Sequence, residues 1–217
     1  MSQNITANGG AIPSMTNGRI RTNANIKCES ENQGNFNASD TDWHDVPYNG
    51  GPSMGWKNET EAHALTDARF SLSNQPNSLS ANLSVDNKCG GACGRDGTNT
   101  GGDGDVSPIY QSQFTLPTQT GPGSWHFDFT LKGRVKEGSG NSTGDYELKF
   151  FGNEINRADS CAFDGHERVF SYVVPSGAYN LELTFPKFNQ GCHGASFGTR
   201  GEREFLTELV ISCYWKT

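Results

Sequence analysis

The sequence predicts an all-β fold: a two-sheet antiparallel β-sandwich, jelly-roll-like, behind an irregular N-terminal segment. Three observations predict it. From residue 66 onward, apolar and polar residues alternate with a period of two in one run after another. Clusters of Gly, Pro, Asn and Ser punctuate these runs. No stretch combines a helical period with capping residues at both ends.

The elements follow in order. Residues 1–25, with Asn-Gly-Gly, Pro13 and Asn17-Gly18, read as a flexible tail. Residues 26–217 read as one disulfide-stabilised sandwich domain. Within it, residues 26–65 look irregular, pinned by Cys28, Trp43, Tyr48 and Trp56. Thr60–Ala68 is the best short-helix candidate. Strands are expected near 68–73 and 79–85, where Leu79, Ala81, Leu83 and Val85 share one face. Further strands are expected over 107–116, 125–132, 145–152, 167–174, 179–185 and 203–215. Trp125, Phe127, Phe129 and Leu131 line one face, with His126, Asp128 and Thr130 opposite. Pro175-Ser176-Gly177 reads as a hairpin loop. The last run is apolar on both faces, which places it centrally. About eight strands without intervening helices suit a two-sheet sandwich.

Composition narrows the function. The chain has 217 residues, so one large all-β domain accounts for it. Val, Ile, Leu and Phe number only 39, whereas Phe, Tyr and Trp supply 23 rings that bury large areas. The net charge of −7 and the absence of a Lys/Arg cluster argue against nucleic acid as a partner. No apolar run is long enough for a transmembrane helix. No phosphate loop or dinucleotide fingerprint is present.

Six cysteines, Cys28, Cys89, Cys93, Cys161, Cys192 and Cys213, suggest disulfides and a secreted, extracellular protein. Residues 1–20 are largely polar, with no apolar h-region of the kind a signal peptide carries. Five glycosylation sequons are close to the number expected by chance from 20 Asn and 37 Ser/Thr. Gly194-Ala195-Ser196-Phe197-Gly198 lacks the strand and helix that a nucleophile elbow needs.

Three groups of residues suggest chemistry. Asp42, Trp43, His44, Tyr48 and Trp56 combine flat rings with hydrogen-bonding side chains, the pairing that a pyranose requires. Asp96, Asn99, Asp103 and Asp105 lie among glycines, in a pattern suited to oxygen ligation of Ca2+. Asp128 and Glu182, each on the polar face of a strand, are the pair expected if the protein cleaves a glycosidic bond. Glu202, Glu204 and Glu208 form a further carboxylate set. The leading expectation is a carbohydrate-binding, lectin-like domain with a glycan or polysaccharide partner. The alternatives are a jelly-roll hydrolase or lyase, and a secreted adhesin or toxin-like protein.

Overall fold

The computed structural model contains no helix among the described residues. It describes residues 12–30, 34–56, 60–92, 101–119, 121–137, 143–162, 167–174, 178–184, 188–191 and 200–217, and at some strand positions, such as Trp56, only the backbone. The described strands are β1 (Ser14–Met15), β2 (Arg19–Arg21), β3 (Ala24–Ser30), β4 (Gly34–Asp40), β5 (Trp43–Asp45), β6 (Tyr48–Gly50), β7 (Ser53–Trp56), β8 (Thr60–Gln75), β9 (Ser78–Ala92), β10 (Gly101–Val106), β11 (Ile109–Thr115), β12 (Ser124–Glu137), β13 (Thr143–Phe150), β14 (Asn153–Ala162), β15 (Glu167–Val174), β16 (Ala178–Thr184), β17 (Phe188–Gly191) and β18 (Arg200–Lys216).

Long strands build one layer, in the order β15-β12-β18-β9-β8-β6, with β7 also on β8. β18 is central, as its two apolar faces predict. Pro76-Asn77 closes the β8–β9 hairpin, with Asn77 at φ 65 in the left-handed region of the turn.

The opposing layer comprises two hydrogen-bonded sheets, β14-β13-β16-β11-β2-β5 and β17-β10-β3-β4. They are one surface broken by a transverse crease. β2 runs on into β3, β4 into β5, β10 into β11 and β16 into β17, and each partnership is kept on both sides. Alternation also continues through the break. Ile20, Thr22, Ala24, Ile26 and Cys28 are all buried, as are Val106, Tyr110, Ser112 and Phe114. Backbone bonding is repaired locally, with Ser107 N donating to Thr22 O at 3.1 Å. The Thr22 hydroxyl donates to Asp40 O at 3.1 Å. All described strand pairs are antiparallel, and the two layers pack face to face as a β-sandwich.

The core changes character along its length. Under β11, β13 and β16 it is aromatic. Phe114 meets Phe127 edge-on at 5.1 Å, and Phe150 lies 4.7 Å from Phe127 and 5.5 Å from Tyr179. Beyond the crease Ala24, Cys28, Ala62, Ala64 and Cys89 face inward beside the larger Ile26 and Val106, with no ring among these residues. There the backbones nearly touch, for a Cβ on Gly104 would stand 2.2 Å from the His63 carbonyl oxygen. Few aliphatics are needed because rings fill one half and close backbone contact closes the other.

Several expectations are corrected. Within the stretch read as tail, Ser14–Met15 and Arg19–Arg21 are strands β1 and β2, both paired with β11, and β3 starts at Ala24. Thr60–Ala68 is the start of β8, not a helix; its Ala62, Ala64 and Ala68 face the core with period two. β15 and β16 do not form a hairpin, since β15 pairs with β12 and β16 with β11 and β13. Cys28, Cys89 and Cys213 are buried and show no disulfide geometry. Cys213 stands opposite Phe127 and Leu79, with no cysteine across either ladder. Cys93 and Cys192 lie outside the described residues, and Cys161 is described by its backbone in β14 alone.

Candidate functional site

On its outer face the creased sheet carries a groove of about 810 Å³ across β16, β11, β2 and β5. Its floor is a register row. Glu182 pairs with Gln111, Gln111 with Arg19 and Arg19 with Asp45, each on a successive strand, and Lys149 continues the row past Glu182, outside the groove lining, where it binds Glu147 Oε2 at 2.7 Å. Because neighbouring strands lie about 4.8 Å apart, these side chains form a regular polar ladder. Arg19 Nη2 donates to Gln111 Oε1 at 3.1 Å, and Gln111 Nε2 donates to Glu182 Oε2 at 2.9 Å. The amide thus relays between a cation and an anion.

One wall is a bulge. Met15 pairs with Phe114 and Arg19 with Gln111, leaving three residues, Thr16 to Gly18, opposite Ser112 and Gln113. Gly18 adopts φ 82, and a Cβ there would stand 2.5 Å from Gln111 O. The Tyr110 hydroxyl, which burial keeps protonated, donates to Asn17 O at 2.8 Å. Val46 N donates to Gly18 O at 3.1 Å and closes the far end.

Trp43 flanks this row. It stands opposite Arg21, with the Arg19 and Arg21 guanidinium carbons 4.5 Å and 5.3 Å from its ring centroid. Its neighbour His44 points the other way, opposite buried Ile20. His44 Nε2 lies 3.0 Å from both Asp40 carboxylate oxygens. The Tyr48 hydroxyl donates to Asp40 Oδ2 at 2.7 Å, and the His44 and Tyr48 rings stack at 4.1 Å. Since β5 and β6 edge opposite sheets, this trio ties the two layers together. Burial opposes ionisation of Asp40, yet hydrogen bonds from His44, Tyr48 and the Asp42 amide hold its carboxyl below the usual range. Burial, then the Asp40 bond, pushes the Tyr48 phenol up, so Tyr48 is a poor base.

The expected ligand-binding residues are therefore divided. Trp43 faces the outer surface, His44 and Tyr48 form the edge tie, and Asp42 is exposed beside it. Trp56 lies in β7, its side chain outside the described residues. Asp96 and Asn99 also lie outside them. Asp103 and Asp105 belong to strand β10, paired with Lys27 and Asn25, rather than to a loop. Among the described residues no group of three metal-ligating side chains converges.

Asp128 and Glu182 do not converge on one bond. Glu182 faces outward from the creased sheet, and Asp128 outward from the long-stranded sheet beyond the core. Asp128 instead accepts from Ser171 Oγ at 2.5 Å. Among the described carboxylates, Asp86 and Glu204 do meet, both bound by Lys136 Nζ. Burial and the neighbouring Glu204 push Asp86 up, while Lys136 opposes the rise. Glu202 is described by its backbone only, and Glu208 pairs in register with Lys132.

Arg19, Gln111 and Lys149 were not legible as site residues. Asp40, His44 and Tyr48 do share one strand parity, a signal that an alternation search for apolar residues passes over.

No family model matches the chain, and no curated protein does. Among solved structures it is similar to the CBM36-1 domain of a multidomain xylanase from the hindgut metagenome of Trinervitermes trinervoides. That match has 12% identity and a TM-score of 0.21, and covers 48% of this chain and 75% of that one. It is also similar to a GH31 alpha-xylosidase from Xanthomonas citri, with 6% identity and a TM-score of 0.26, over 75% of this chain and 27% of that one. A third similarity, to the VP2 protein of Infectious Bursal Disease Virus, has 8% identity and a TM-score of 0.18.

Proposed function

We propose that the outer groove of the creased sheet binds a polysaccharide chain outside the cell, without cleaving it. The observation that carries this reading is the Lys149–Glu182–Gln111–Arg19–Asp45 row beside Trp43. Donors and acceptors alternate along it on rigid strands, as the hydroxyls of a sugar demand. Its opposite charges balance, which favours a neutral polymer over a uronate. A shared cleft holding two carboxylates, which hydrolysis needs, is lacking between Asp128 and Glu182.

The test is calorimetric titration against neutral cello-, xylo- and manno-oligosaccharides, with oligogalacturonate as the charged control. Gln111→Ala separates Arg19 from Glu182 and is expected to weaken binding by about tenfold, near 1.4 kcal/mol. Absence of binding across this panel, or equal binding by Gln111→Ala, overturns the reading.

A further inference from the structure

The creased sheet carries a second pocket on the other side of the break, of about 460 Å³. Asn25, Lys27, Asn37, Ser39 and Asp105 supply its polar lining. Asn25 pairs with both Asp105 and Ser39, and Lys27 with Asn37, so these side chains again form rows across adjacent strands. Amides and a hydroxyl predominate, with one cation and one anion, which is the same balanced chemistry as in the first groove.

The two pockets share a face. Buried residues keep even numbers through the crease, from Ile20 to Cys28 on one strand and from Val106 to Phe114 on another. The odd-numbered residues therefore all point outward: Arg19, Arg21, Asn25 and Lys27, and likewise Gln111 and Asp105. Trp43, opposite Arg21, and Ile109, also opposite Arg21, stand between the pockets. Asp105 in β10 and Gln111 in β11 are six positions apart across the crease, at most about 20 Å of extended chain. An aromatic ring between two hydrogen-bonding clusters, two positions from the first and four from the second, suits a chain of sugars better than one sugar.

We infer that the second pocket is a further subsite for the same neutral polysaccharide, which runs along the strands and across Trp43. This inference rests on the groove reading above and adds that recognition is of an extended polymer. Occupying two linked subsites makes affinity rise with ligand length, because the second contact is intramolecular.

Affinity is to be measured for a ladder of neutral oligosaccharides from disaccharide to octasaccharide, using wild type and the Asn25→Ala/Ser39→Ala variant. Both substituted side chains are exposed, and circular dichroism checks that the fold is kept. For wild type, the longest members are expected to bind at least about tenfold more tightly than the shortest. The variant is expected to lose that gain while binding the short members unchanged. Binding that does not depend on length, or an equal loss for short and long members, overturns the second subsite and leaves the groove intact. Failure of every oligomer to bind wild type overturns the groove reading and this inference together.

Discussion

Arg19 lies with its guanidinium carbon 4.5 Å from the centre of the Trp43 indole while its Nη2 donates to Gln111. The contact spans the β2–β5 pair and orients both side chains on the outer face. Trp43 is thus held as a platform rather than packed into the core. Trp43→Ala is expected to lower oligosaccharide affinity by more than about tenfold. Its melting temperature should fall by only a few degrees, because a single surface substitution seldom costs more than about 1 kcal/mol. Titration and calorimetric melting check the two halves of this expectation.

Phe127 behaves in the opposite way. It is fully buried and contacts Phe114, Phe129 and Phe150. Phe127→Ala leaves a cavity among rings that cannot all collapse into it, at a cost of about 3–5 kcal/mol. Urea unfolding monitored by tryptophan fluorescence should show the midpoint move without a large change in slope.

Asp40 gives the edge tie a pH dependence. Burial raises its carboxyl pKa, but the His44, Tyr48 and Asp42 bonds outweigh burial and lower it. A depressed folded value stabilises the protein above the unfolded carboxylate value of about 4 and ceases to do so as pH falls through the folded value. Wild type is therefore expected to be more stable than Asp40→Asn at neutral pH, with the difference shrinking below about pH 4. Parallel denaturation series at several pH values test this; a difference that grows in acid contradicts it.

Cys213 is a buried thiol near the C-terminal end of the central strand β18, and burial pushes its pKa up to about 12. The thiolate is the reactive form. Native protein at pH 8 should leave Cys213 unmodified by iodoacetamide, and the same reagent in denaturant should label it. Peptide mass spectrometry distinguishes the two states.

The eight runs expected from residue 66 onward correspond to β8, β9, β11, β12, β13, β15, β16 and β18. Each carries large apolar residues on alternate positions, so sequence and packing agree. β2 and β3 escaped notice because Thr22 and Ala24 take inward positions that Ile or Phe would have advertised. β10 escaped because Gly102 and Gly104 look like loop residues, although close approach to β8 and β9 requires Gly104. The site was less legible than the fold. Trp43 and the edge residues stood out by type, but Arg19, Gln111 and Glu182 meet only through register, which pairs residues 92 and 71 positions apart. Disulfides were inferred from an even count, yet Cys213 is placed by packing.

The crease has a consequence for how this chain tolerates change in length. Strand direction shifts at residues 22–23 and 107–108, but the two-residue frame does not. Deleting Asn23 alone would invert everything on one side of it, turning Arg19 and Arg21 toward the aromatic core and Ile20 toward water. Removing or adding two residues there keeps the frame. Insertions and deletions at this break are therefore expected to survive in even numbers.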